Sequence, residues 1–138
     1  MAEVIDIYGL SPMQQGMLFH SLLDKSSGTY FEQCWCTLRG ELDIDAFQKA
    51  WAQVVSQHDV LRSEFHWESV DTPVQVVYDC VELDWDIKDW QTHSQTERDT
   101  EFDEYLLFRR SAGFTMDRAP LMAFTLIHEK NEQGITQY

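Results

Sequence analysis

The chain is poor in positive charge. Its 138 residues hold 10 Lys and Arg against 24 Asp and Glu, a formal net charge of −14. Such a chain repels phosphate backbones and anionic lipid, which argues against nucleic acid and membrane surfaces as partners. No run of about 18 apolar residues occurs, so no transmembrane helix is expected. The opening Met-Ala-Glu-Val-Ile-Asp lacks the basic and apolar regions of a signal peptide, so the expected compartment is the cytoplasm. Three cysteines, an odd number, make no disulfide framework.

Several chemistries are missing as well. There is no glycine-rich phosphate loop, no G-x-S-x-G elbow, no H-E-x-x-H and no Ser/His/Asp set of diagnostic spacing. His20, His58, His66, His93 and His128 are scattered without zinc-site spacing, so no metal is expected. Cys34 and Cys36, two apart, read as small apolar core residues. His58 reads as a core or rim residue, and His66 shares a strand face, expected to be wet, with Glu64 and Glu68. From Asp79 to Glu104 ten acids meet two bases, Lys88 and Arg98, and this run reads as a solvated face. Residue chemistry alone names no reaction.

What is present is a globular domain rich in aromatics. Hydrophobic residues make up 43%, with five Trp, eight Phe and five Tyr, enough for one core with much aromatic packing. Ser11, Pro12 and Gln14 open a helix with a capping box, running to Leu23. Met13, Met17 and His20 share one face, and Gly16 lies on it. A loop over Lys25 to Thr29 leads to alternating residues from Tyr30 to Arg39. These predict a strand with Phe31, Gln33 and Trp35 on one side. Asp43 caps a helix to His58 whose Phe47, Ala50, Trp51, Val54 and Val55 make an apolar stripe. Ser63–Glu68 and Val74–Asp79 read as a hairpin. After an acidic, Trp-containing loop, Ser94 and Glu97 cap a helix to Ser111, with Gly113 as its stop. Leu121–His128 is a strand, Asn131–Gly134 a turn, and Ile135–Tyr138 the start of another strand, which reads as a cut within a sheet. The order predicts an α+β (mixed α/β) fold, a largely antiparallel sheet packed by about three helices.

Two stretches carry a family resemblance. Tyr8-Gly9-Leu10-Ser11-Pro12-Met13-Gln14-Gln15-Gly16-Met17-Leu18-Phe19-His20 resembles the first core motif of the condensation domains of nonribosomal peptide synthetases. Gln57-His58-Asp59-Val60-Leu61-Arg62-Ser63-Glu64-Phe65 resembles the second, with Gln57, Asp59 and Ser63 replacing the usual Arg, Glu and Thr. Phe31-Glu32-Gln33, Asp45 to Trp51, Pro73-Val74-Gln75-Val76-Val77 and Ala119-Pro120-Leu121-Met122 agree with the family too.

The resemblance implies one chloramphenicol-acetyltransferase-like lobe, with residues 1–138 as the N-terminal lobe of an incomplete domain. It implies amide-bond formation between a carrier-bound aminoacyl or peptidyl thioester and a carrier-bound amine. The substrates ride on phosphopantetheine of carrier proteins, and the domain itself needs no cofactor. The family's His-His-x-x-x-Asp-Gly motif is absent, so no residue here is expected to be catalytic and the chain alone is expected to be inactive. Met13, Gly16, Met17 and His20 are tunnel-wall candidates. Arg62 is expected to pair with the Asp of the absent motif, leaving a buried Arg without its partner here. The expected partners are the C-terminal lobe and carrier proteins, with self-association through an open sheet edge. Two other readings stay open. One is a non-catalytic docking module, which the charge disfavours because carrier proteins are themselves acidic. The other is a lobe of a related epimerization or cyclization domain.

Overall fold

The computed structural model describes residues 2–24, 28–131 and 133–138. In chain order the elements are β1 (Val4–Gly9), α1 (Pro12–Leu23), α2 (Ile44–Gln57), a 3₁₀ turn (Asp59–Arg62), β2 (Ser63–His66), β3 (Val74–Tyr78), β4 (Trp85–Asp89), α3 (Gln95–Ala112), β5 (Phe124–Lys130) and β6 (Thr136–Gln137). The fold is α+β.

Each helix begins where a side chain satisfies the first free N–H groups. Ser11 and Gln14 form a reciprocal capping box on α1, with Pro12 in its first turn. Ser94 and Glu97 do the same for α3. The Asp43 carboxylate accepts the Ala46 N–H at 2.9 Å to cap α2. α3 stops at Gly113, whose φ of 61° needs a residue without a Cβ.

The strands make two three-stranded sheets rather than one, ordered β1-β3-β2 and β4-β5-β6. β2 and β3 form the expected hairpin, and β1 joins antiparallel on the far side of β3. β4 runs parallel to β5, which pairs antiparallel with β6. Thus three of the four strand pairings among the described residues are antiparallel, as expected. Two of these strands replace expected irregular chain. β1 was not anticipated, and β4 lies in the stretch read as an acidic loop. β5 also starts later than Leu121 and ends at Lys130. The expected turn keeps a Gly134 N–H to Asn131 carbonyl bond of 2.9 Å. Of the loop expected over Lys25 to Thr29, residues 25–27 lie outside the described residues.

The strand expected over Tyr30–Arg39 is corrected. Its alternation is real, but the partner on that side is a helix. Phe31 stacks on Phe114 just beyond α3 (5.2 Å), Gln33 Nε2 donates to the Leu106 carbonyl (3.1 Å), and Trp35 meets Phe102 edge-on (5.9 Å). Side chains therefore hold 31–38 extended along α3. Strand-like backbone bonds form only at its end, where Leu38 and Tyr138 exchange N–H···O bonds of 2.7 and 2.9 Å. Cys34 and Cys36 are exposed, so they are not core residues.

The core sits between helices and sheets. Leu10, Leu18, Val55, Val76, Val77, Trp90 and Leu126 are buried, and Val77 is wholly so. α2 reaches the second sheet through Phe47 on Trp85 (5.9 Å) and Trp51 on Phe124 (4.7 Å). Trp85 and Phe124, partners across β4 and β5, stack at 4.5 Å. The apolar stripe of α2 is buried at Val55 and half-buried at Phe47 and Trp51. Val54 (40% exposed) and Ala50 lie at its rim. α3 is tied to β5 by buried Arg98, which donates to the Lys130 carbonyl and to Gln95 Oε1 and lies 3.5 Å from Glu129. The acids of the run from Asp79 to Glu104 are solvated except for half-buried Asp86.

Candidate functional site

Helix α1 turns its apolar side outward. Leu18 faces the core, whereas Met13 (76% exposed), Gly16, Met17 and His20 share an exposed face continued by Phe19 and Leu23. A Cβ added at Gly16 would touch nothing within 4 Å. The His20 ring lies 5.7 Å from Phe19 and 6.4 Å from Tyr30. An amphipathic helix normally buries such a stripe, so this face is free to line a wall.

Arg62 closes the 3₁₀ turn and is buried. Its hydrogen bonds run to groups within this chain. Nε donates to the Val55 carbonyl at 3.1 Å, and Nη1 to the carbonyls of Tyr78 and, at 3.2 Å, Asp79. Nη2 meets the Asp59 carboxylate at 2.5 Å. The guanidinium thus joins the end of α2 to the end of β3. Nη2 keeps one N–H that these bonds do not use, beside a carboxylate whose side chain is 61% exposed.

A line of buried polar groups joins α1 to this turn. Gln14 Nε2 donates to Gln75 Oε1 (2.7 Å), Gln75 Nε2 to Ser63 Oγ (3.1 Å), and Ser63 Oγ to the Asp59 carbonyl (2.8 Å). Gln75 sits in β3 and is buried. Sequence reasoning missed its role. The available signal was a polar residue sharing a strand face with the fully buried Val77.

Glu64 was also misread. Its strand face is wet at Glu68 but not at Glu64 itself, which is 7% exposed. Its carboxylate accepts from Tyr78 Oη (2.6 Å), the Ala119 N–H (2.8 Å) and His66 Nε2 (2.8 Å). Burial pushes this carboxyl up, but the three hydrogen bonds outweigh it and hold the pKa below the ordinary value. The same bond, with burial, pushes the Tyr78 phenol up to about 12. This cluster pins β2 and β3 to the loop holding the cis Ala119–Pro120 bond. His58, at the C-terminal cap of α2, is exposed.

An aromatic cleft of about 350 Å³ opens between Trp35, Trp51, Trp85, Trp90, Phe102 and Arg98. No nucleophile and base are paired in it. Among the described residues, no three His, Cys, Asp or Glu side chains gather as a metal site, and no helix is long and apolar enough to cross a membrane.

The geometry therefore offers an exposed apolar face on α1 and a brace at Arg62. A family model described as the condensation domain matches residues 4–136, and the chain belongs to that family. A linear gramicidin synthase protein of Brevibacillus parabrevis is 40% identical over 127 residues, which are 92% of this chain and 2% of that protein. A plipastatin synthase protein of Bacillus subtilis (strain 168) is 40% identical over 139 residues, 99% of this chain and 5% of that protein. The first condensation domain of the CDA synthetase shares the fold, with a TM-score of 0.74 at 15% identity over 99% of this chain and 34% of that one. The starter condensation domain of rhizomide synthetase has a TM-score of 0.70 at 18% identity, over 96% and 32%. The chain thus spans a few per cent of the length of these curated relatives and about a third of these domain structures.

Proposed function

We propose that residues 1–138 are the N-terminal lobe of a condensation domain that joins a carrier-bound aminoacyl or peptidyl thioester to the amine of a carrier-bound acceptor. The observation that carries this reading is the outward apolar face of α1, built by the first family motif and linked by buried hydrogen bonds to the turn that bears Arg62 in the second. In this reading Met13, Gly16, Met17 and His20 line one wall of the substrate tunnel. The spare Nη2 proton of Arg62 meets the Asp of a His-His-x-x-x-Asp-Gly motif supplied by the other lobe. The lobe itself positions reactants, and holding two tethered groups together accounts for most of what it contributes. The phosphopantetheine belongs to the carrier proteins, and the setting is the cytoplasm. The apolar face of α1 and the open edge of β1 also favour association with the other lobe or, in its absence, with a second copy.

The test uses Gly16→Leu. The site is open, and Leu is the better helix former, so the thermal midpoint should hold or rise. In the complete domain, with donor and acceptor loaded on carriers, the bulk of Leu should lower amide formation, read by mass spectrometry. Undiminished product from Gly16→Leu, or amide formed by residues 1–138 alone, overturns the reading.

A further inference from the structure

The hydrogen bonds between α1 and the Arg62 turn have a direction, and it is set from one end. The Ser11 backbone N–H can only donate, and it donates to Gln14 Oε1 at 2.9 Å. That orients the Gln14 amide, so Nε2 must face Gln75. Gln75 must then present Oε1 to Gln14 and Nε2 to Ser63. With a donor facing its oxygen, the Ser63 hydroxyl sends its own proton to the Asp59 carbonyl. Four bonds thus run head to tail from the cap of α1 to the 3₁₀ turn. Turning over the Gln14 or Gln75 amide reverses the amide bonds downstream and frees the Asp59 carbonyl, because each amide has one donor end and one acceptor end. Gln75 and Ser63 are 5% and 4% exposed, so water is poorly placed to take up a broken link.

We propose that Gln75 is a positioning residue: its oriented amide couples the exposed face of α1 to the turn that holds Arg62, so that a change at one is felt at the other. The coupling stands on this geometry. Its use, setting tunnel wall and brace together for the reaction, rests on the reading given under Proposed function.

The variant Gln14→Glu isolates the link. Glutamate keeps an oxygen for the Ser11 N–H, so the capping box survives, but it offers Gln75 an acceptor where a donor stood. The Gln75 amide must turn over to donate to Glu, presenting its oxygen to Ser63. The Ser63 hydroxyl then donates to Gln75 and releases the Asp59 carbonyl, next to the carboxylate that holds Arg62.

In residues 1–138 labelled with ¹⁵N, Gln14→Glu is expected to displace both the Gln75 side-chain amide signals and the Arg62 Nε–H signal. With Ser63→Ala in the background, the Gln75 signals should still move and the Arg62 signal should not. The unsubstituted chain provides a measurement that no folding defect can spoil. The Gln75 side-chain protons should exchange with solvent at least about tenfold more slowly than those of exposed Gln53. An Arg62 signal indifferent to Gln14→Glu, an equal displacement with Ser63→Ala present, or Gln75 protons as fast as those of Gln53 overturns the coupling. Amide formation in the complete domain is a separate reading. If the signals couple and Gln14→Glu leaves product formation unchanged, the coupling stands and the proposed use of it falls.

Discussion

Glu64 shows how one buried carboxylate can organise its surroundings. It takes hydrogen bonds from a phenol, a backbone amide and an imidazole, and it holds the Tyr78 proton in place. Of the five tyrosines, Tyr78 should therefore ionise near 12, well above the ordinary value near 10. An ultraviolet titration should show a phenol ionising near 12, and Tyr78→Phe should remove it. The carboxylate also makes stability depend on pH. Its folded pKa lies below the ordinary glutamate value. Its contribution is thus complete above that value and is lost as pH falls through the lower, folded one. Glu64→Gln should be less stable at neutral pH and lose less stability below pH ~4.3 than the parent, by urea unfolding across that range. A parallel acid limb in both proteins would assign the acid sensitivity to other carboxylates. Arg62 belongs at this scale too. It is buried, and residues 55, 59, 78 and 79 take all but one of its N–H groups.

At the scale of elements, the caps are the clearest local determinants. Ser94→Ala removes the hydroxyl half of the α3 capping box and should cost about 1 kcal/mol. Gly113→Ala forces a Cβ into a backbone conformation (φ 61°, ψ −159°) that is essentially glycine-only and should cost about 1–3 kcal/mol, although no atom crowds the site. Thermal unfolding of the two variants against the parent measures both. These helices were legible in the sequence because caps and stops act over four residues. The hairpin was legible because turn residues separate two alternating runs. What was illegible depends on partners far along the chain. β4 alternates Trp85, Ile87 and Asp86, Lys88, but it becomes a strand only by lying parallel to β5, with α3 between them in sequence. The alternation of Phe31, Gln33 and Trp35 is equally good, yet α3 takes that face and no ladder forms beside it. β1 has exposed apolar residues on both faces, so no buried side marks it out. The same limit applied to the site. The motif residues on α1 could be placed on one face, but Gln75 gains its role only when β3 lies between Ser11–Gln14 and Ser63.

For the molecule as a whole, aromatic rings hold the second sheet to α2. Phe124 touches both Trp51 and Trp85, so Phe124→Ala should cost about 3 kcal/mol, as a large core truncation does. Urea unfolding followed by tryptophan fluorescence should show the earlier midpoint. A loss under about 1 kcal/mol would mean that the rings merely lie side by side. The first sheet has a different consequence, one of timing. Among the described residues β1 pairs with β3 and with no other strand, and Val74 opposite Gly9 comes roughly 65 residues later. On a ribosome adding about 5–20 residues per second, β1 waits about 3–13 s for its partner to be made. Throughout that interval Val4, Ile5, Ile7 and Tyr8 lack the strand on which they lie in the fold. The β2–β3 hairpin, joined by seven residues, closes as soon as it emerges and becomes the template on which β1 docks. Of the strands of this sheet, the first to be synthesised is thus the last to fold.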